Sequence, residues 1–183
     1  MRRSLVGHPG NPARAVRAVS VDVEHSPASG FALRFMVEGE IDRILLPRGE
    51  GALAVADRGT DGLWQSSCFE LFLADEGHPR YTEFNYAPDG RWACYHFDDY
   101  RTLLAPDDML APRAMSAERE AAHYAFRVEP GILPAVRTKL ALSAVIEETD
   151  GTKSYWALCH PPGKPDFHHP DCFALTLGAP DGA

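Results

Sequence analysis

The chain has 183 residues, with 18 Lys and Arg against 26 Asp and Glu, a formal net charge of −8. At 45% hydrophobic and 24% charged it has the composition of an ordinary globular domain, which excludes an extended disordered chain, a collagen and a coiled coil. The acidic balance, with no basic run longer than Arg2-Arg3, argues against nucleic acid and anionic membrane as partners.

The N-terminal stretch MRRSLVGHPGNPARAV has positive charge but not the apolar core of a secretory signal. No apolar run approaches the roughly 20 residues needed to cross a bilayer, so the expected location is cytoplasmic. Four cysteines, Cys68, Cys94, Cys159 and Cys172, show no C-x-x-C spacing and are expected to be reduced.

In chain order, period-two alternation recurs over short runs broken by Gly, Pro, Asn and Asp. Ala15 to Val23 and Phe31 to Val37 read as two strands joined through Ser26–Gly30, and Gly39 to Leu46 reads as a third, ending at Pro47. Arg48 to Leu63 reads as a longer loop. Ser67 to Ala74, Arg80 to Tyr86 and Arg91 to Phe97 form a meander, turned at Asp75–Pro79 and at Pro88-Asp89-Gly90. Ala121 to Glu129, Lys139 to Glu147, Tyr155 to Cys159 and Cys172 to Leu177 complete the set, with one short helical turn expected at Pro130–Pro134. About ten strands predict an all-β domain of two packed antiparallel sheets, a β-sandwich of jelly-roll or immunoglobulin-like form with little helix. The whole of 1–183 is expected to be a single domain, with its core at about 15–177.

Nucleotide-binding and hydrolase signatures are absent: there is no G-x-G-x-x-G, P-loop, G-x-S-x-G or H-E-x-x-H. The meander carries the polar residues of interest. If Phe69, Leu71 and Leu73 face the core, Glu70 faces away; Glu83 and Asn85 share a face on the next strand. Trp64 lies just upstream and Arg91 and Trp92 just downstream. Carboxylates, an amide, a guanidinium and indoles suit a sugar site, where hydrogen bonds fix hydroxyls and aromatic faces stack on the ring. The plainer reading is a solvated sheet face on which Arg80 or Arg91 neutralises the acids. A third reading makes Glu70 and Glu83 the acid/base pair of a glycan-active enzyme.

The segment Cys159–Cys172, CHPPGKPDFHHPDC, is rich in metal-capable side chains, and His160, His168 and His169 are candidates for a divalent metal or haem. A haem would also need a methionine, Met36, Met109 or Met115. The spacings match no common zinc pattern, and a proline-stiffened loop is the competing reading. Asp98 to Arg101 reads as a polar turn with a local ion pair. Of Tyr155 and Trp156, alternation sends one to the core and leaves the other as a further stacking platform.

The run Asp61-Gly62-Leu63-Trp64-Gln65, then Cys68–Leu73, then Tyr81–Gly90 and Trp92, resembles the bacterial DOMON-like proteins, relatives of the family-nine carbohydrate-binding modules and the cytochrome-type DOMON domains. The tail at Ser154–Leu158, His160–Gly163 and Pro165–His168 is similar to the same group. The resemblance implies a sandwich of about ten or eleven strands that binds a sugar or haem without catalysis. It also implies ligand contacts from Glu70, Glu83 and Asn85 with Trp64 and Trp92 as walls, and less directly from Arg91. The combined expectation is a non-catalytic binding domain for a carbohydrate or cell-wall sugar, with no cofactor; a protein partner is not specified.

Overall fold

The computed structural model describes residues 1–26, 30–47, 50–75, 77–132 and 137–177. Its strands are β1 (Arg2–Gly7), β2 (Val16–Ser26), β3 (Gly30–Gly39), β4 (Gly51–Ala52), β5 (Cys68–Asp75), β6 (Tyr81–Tyr86), β7 (Trp92–Asp99), β8 (Thr102–Pro106), β9 (Ala114–Arg119), β10 (His123–Glu129), β11 (Thr138–Glu147), β12 (Lys153–Ala157) and β13 (Leu175–Leu177). Among the described residues the only helical pieces are 3-10 turns at Ile41–Arg43, Leu63–Gln65 and Pro170–Cys172.

The strands form an antiparallel β-sandwich. One sheet runs β4-β9-β10-β3-β2-β1 and the other β1-β12-β11-β5-β6-β7-β8, with β13 beside β12 along one edge of β11. Strand β1 joins the two: Arg2–Leu5 pair with Asp22–Val19, and Val6 and Gly7 pair with Ala157 and Trp156. Alternation then decides what is buried. Val19, Val21, Leu33, Phe35, Leu71 and Phe126 meet between the sheets, none more than 1% exposed. Phe69 of β5 ties the layers together, stacking on Phe126 of β10 at 4.8 Å between centroids and lying 5.0 Å from Phe35 of β3.

Three expectations need correction. The run Gly39–Leu46 is not a strand: after Gly39 the chain makes the 3-10 turn, and Ile44 forms a lone bridge to Glu148. A Cβ on Gly39 would stand 2.2 Å from the Ala15 carbonyl oxygen, so only glycine fits there, and Ile41 and Ile44, three residues apart, then both turn into the core. The loop after Arg48 is not strand-free, since β4 pairs there with β9. Strands β1, β8 and β9 are additional to those expected: β8 is exposed along its whole length and β1 buries Leu5 alone, leaving no alternation to detect, whereas β9 alternates, burying Met115 and Ala117, but over six residues only. The turns expected at Ser26–Gly30, Asp75–Pro79 and Pro130–Pro134 lie partly outside the described residues.

The outer face of the second sheet has an apolar cluster of its own, built on Phe72, Tyr81, Tyr95, Phe97 and Val145 and packed against Phe167 and Cys172 of the C-terminal segment. An outer face that buries this much aromatic surface is where the candidate site lies.

Candidate functional site

Register fixes the floor. Along one row of the outer face Ser143, Glu70, Asn85 and Ala93 stand side by side on β11, β5, β6 and β7; along the next stand Ala141, Phe72, Glu83 and Tyr95. Glu70 and Glu83 are thus diagonal neighbours, and both are buried, at 2% and 6% exposure. The face is neither solvated nor neutralised by the two nearby arginines: Arg80 pairs with Asp98 at 2.6 Å and Arg91 with Asp89 at 2.8 Å.

The C-terminal segment passes over this floor and leaves a cleft of about 490 Å³ with Glu70, Phe72 and Glu83 at its base. Trp64 and Tyr95 form one wall, their rings edge to face at 6.0 Å. Tyr155, Phe167 and His168 form another, with Arg101 also lining the cleft. The Leu63–Gln65 turn brings Trp64 there, entered through Gly62 at φ 77°, and Asp61 just before it accepts the Tyr95 hydroxyl at 2.6 Å. Arg101 holds the covering segment by its 2.7 Å pair with Asp166, which also accepts the Tyr100 hydroxyl.

Each carboxylate is half satisfied. Ser143 donates to Glu70 Oε2 at 2.8 Å and the Asn85 amide donates to Glu83 Oε1 at 2.7 Å. Burial, and for Glu70 also the neighbouring Glu83 charge, push both carboxyls well above the usual range; the bond from Asn85 and the Arg101 charge restrain Glu83. His168 moves the other way, down to about 4, because burial and then Arg101 disfavour its cation. The Tyr81 hydroxyl accepts the Arg101 backbone N–H at 3.1 Å and meets His168 Nδ1 at 2.8 Å. With the phenol proton donated to Nδ1, the neutral imidazole carries its own proton on Nε2, which lies 3.6 Å from Glu83 Oε2.

The structure brings Trp64, Glu70 and Glu83 together at the cleft. Asn85 is fully buried behind them, where it holds Glu83. Trp92 is a correction: it pairs with the inward-facing Tyr86, its ring is buried between the sheets, and its indole N–H donates to Ala56 O at 2.8 Å. Arg91 does not line the cleft either, since its guanidinium is held at the surface by Asp89. Tyr155 faces the cleft, whereas Trp156 belongs to the core. Arg101 pairs with the distant Asp166 instead of a neighbour within its turn.

The histidines diverge. His160 Nε2 lies 2.8 Å from Val6 O, His169 Nδ1 accepts the Asp171 N–H at 3.2 Å, and His168 alone lines the cleft. Of the methionines considered, Met115 is core and Met109 is 88% exposed. Elsewhere among the described residues, Cys94, His96 and Asp107 bring potential metal ligands within 4.8 Å of one another. There His96 already bonds Asp107 at 2.9 Å and Thr82 at 3.1 Å, so the group is satisfied as a hydrogen-bonded cluster. Tyr95, Phe97 and Arg101 are cleft residues that sequence reading missed; counting alternation through Gly90 into Trp92–Asp99 reveals the first two, and nothing local reveals Arg101.

No protein-family model matches the chain, and no curated protein sequence matches it. Among solved structures, the fold is similar to that of "a putative carbohydrate-binding protein from Bacteroides uniformis ATCC 8492". The two align with a TM-score of 0.59 at 15% identity, over 93% of this chain and 83% of that one. This likeness establishes the fold.

Proposed function

We propose that the cleft binds a carbohydrate and does not cleave it, in a DOMON-like sandwich related to the carbohydrate-binding modules. The observation that carries this reading is the pair Glu70 and Glu83, each with one oxygen that accepts no hydrogen bond among the described residues, that of Glu83 lying 3.6 Å from His168 Nε2, on a floor walled by aromatic rings. Aromatic faces accept the C–H surface of a pyranose while open carboxylate oxygens accept its hydroxyls. The description of the B. uniformis neighbour and the resemblance of the central block point the same way.

Calorimetry against a panel of mono- and oligosaccharides tests the reading. Glu83→Ala is expected to weaken the bound sugar at least tenfold, as loss of a charge-assisted bond of about 1.5 to 3 kcal/mol requires. Unchanged affinity removes Glu83 from the site. Turnover of chromogenic glycosides that disappears in Glu70→Gln would overturn the non-catalytic half of the proposal.

A further inference from the structure

The charges around the cleft do not balance. Asp61, Glu70 and Glu83 line it, and Asp166 stands behind Arg101, which is the lone cationic side chain lining the cleft among the described residues. That guanidinium is engaged by Asp166 at 2.7 Å. Arg80 and Arg91 are paired with Asp98 and Asp89, and the neutral His168 adds no positive charge. Two carboxyl groups are therefore held out of water with no cation of the chain between them, and in the ligand-free protein burial favours their protonated form. A cation bound between them would take the place of those protons and let both groups ionise, which side by side and unpaired they resist.

We propose that the ligand is an amino sugar whose ammonium group sits between Glu70 and Glu83 while its ring lies against Trp64 and Tyr95; this rests on the carbohydrate reading above. Diagonal positions on adjacent strands are roughly 7 to 8 Å apart, a gap that one small cation can bridge. An ammonium has three N–H donors and no acceptor, so it satisfies the open oxygen of each carboxylate at once. A hydroxyl has a single proton to give and brings no charge, and charge-assisted bonds are roughly twice as strong as neutral ones. An N-acetyl group removes the charge and adds bulk at the same point. The other titratable groups facing the pair do not take over the role: burial keeps Tyr81, Tyr95 and Cys68 protonated and His168 neutral.

Titration calorimetry at pH 7 in an amine-free buffer, with glucosamine, glucose and N-acetylglucosamine as probes and the galactose and mannose series alongside, decides the matter. The 2-amino sugar of one series is expected to bind at least tenfold more tightly than both its neutral counterparts. In Glu70→Gln, checked for folding by a thermal scan, that preference should fall below threefold. Should that variant not fold, the wild-type preference is expected to shrink at pH 5, where the carboxyls are protonated. Equal binding of amino and neutral sugars, within threefold, overturns the amino-sugar assignment and leaves the carbohydrate reading standing. Binding of no sugar in any series overturns both.

Discussion

Asn85 and Glu83 sit two residues apart on the same face of β6, and the Asn85 amide donates to Glu83 Oε1 at 2.7 Å. The amide is wholly buried, so its placement serves the carboxylate and not solvent. Asn85→Asp replaces this donor with a third acid of nearly the same shape. Repulsion then grows as the acids ionise, so the variant should lose stability against the wild type by about 1 to 3 kcal/mol at pH 8 and by less at pH 5. Denaturant melts at the two pH values check this. An equal loss at both would mean that the amide matters for packing alone.

The raised carboxyls of Glu70 and Glu83 make a second prediction about pH. An acid with a higher pKa in the folded state binds more protons folded than unfolded above the ordinary carboxylate range. The stability it contributes is present at low pH and is lost as pH rises through the folded value. The ligand-free protein should therefore be less stable at pH 8 than at pH 5.5 on this account, and Glu70→Gln should flatten the decline. Thermal melts of both proteins across that window measure it; a wild-type slope unchanged in the variant would place the cause elsewhere.

His168 acts on the acid side. Its pKa is lowered to about 4, so the unfolded chain takes up a proton on this residue that the fold resists. Stability is full above the unfolded value of about 6.5 and declines as pH falls towards 4, by roughly 3 kcal/mol in all. His168→Gln should remove this decline while lowering stability at pH 7, where the Tyr81 contact at 2.8 Å is altered. Melts between pH 4 and 7 separate the two effects.

The short β9 aside, the division between strands that the sequence reveals and strands that it hides follows burial. Runs with one face in the core, such as Cys68–Asp75 and Tyr81–Tyr86, alternate, and that alternation alone puts Glu70 and Glu83 on the outer face. Strand β8, exposed throughout, has no pattern to read. The site was legible to the same extent. Glu70, Glu83 and Trp64 follow from strand phase and a neighbouring turn, but the burial of the outer face depends on Cys159–Cys172 folding back, a contact between segments about 80 residues apart in sequence. Until that contact is known, Arg101 looks like a turn residue and His168 like a metal ligand, instead of a clamp on Asp166 and a neutral partner of Tyr81.

Trp64 and Trp92 looked alike in the sequence, and the structure separates them. Trp92 is fully buried between the sheets, with its indole N–H on Ala56 O, whereas Trp64 is 44% exposed at the cleft wall. Truncating a buried tryptophan leaves a large cavity and costs about 3 to 5 kcal/mol, so Trp92→Ala should lower the melting temperature sharply or prevent folding. Trp92→Phe retains most of the apolar volume; it should fold, with lower stability, and bind sugar as the wild type does. Trp64→Ala should melt close to the wild type, since little packing is lost. Its sugar affinity should fall several-fold, corresponding to about 0.5 to 1.5 kcal/mol of aromatic stacking. Paired thermal melts and calorimetry on these variants test the division. A Trp64→Ala protein that binds as tightly as the wild type would remove the indole from the ligand's path, and a Trp92→Phe protein that folds but does not bind would return that ring to the site.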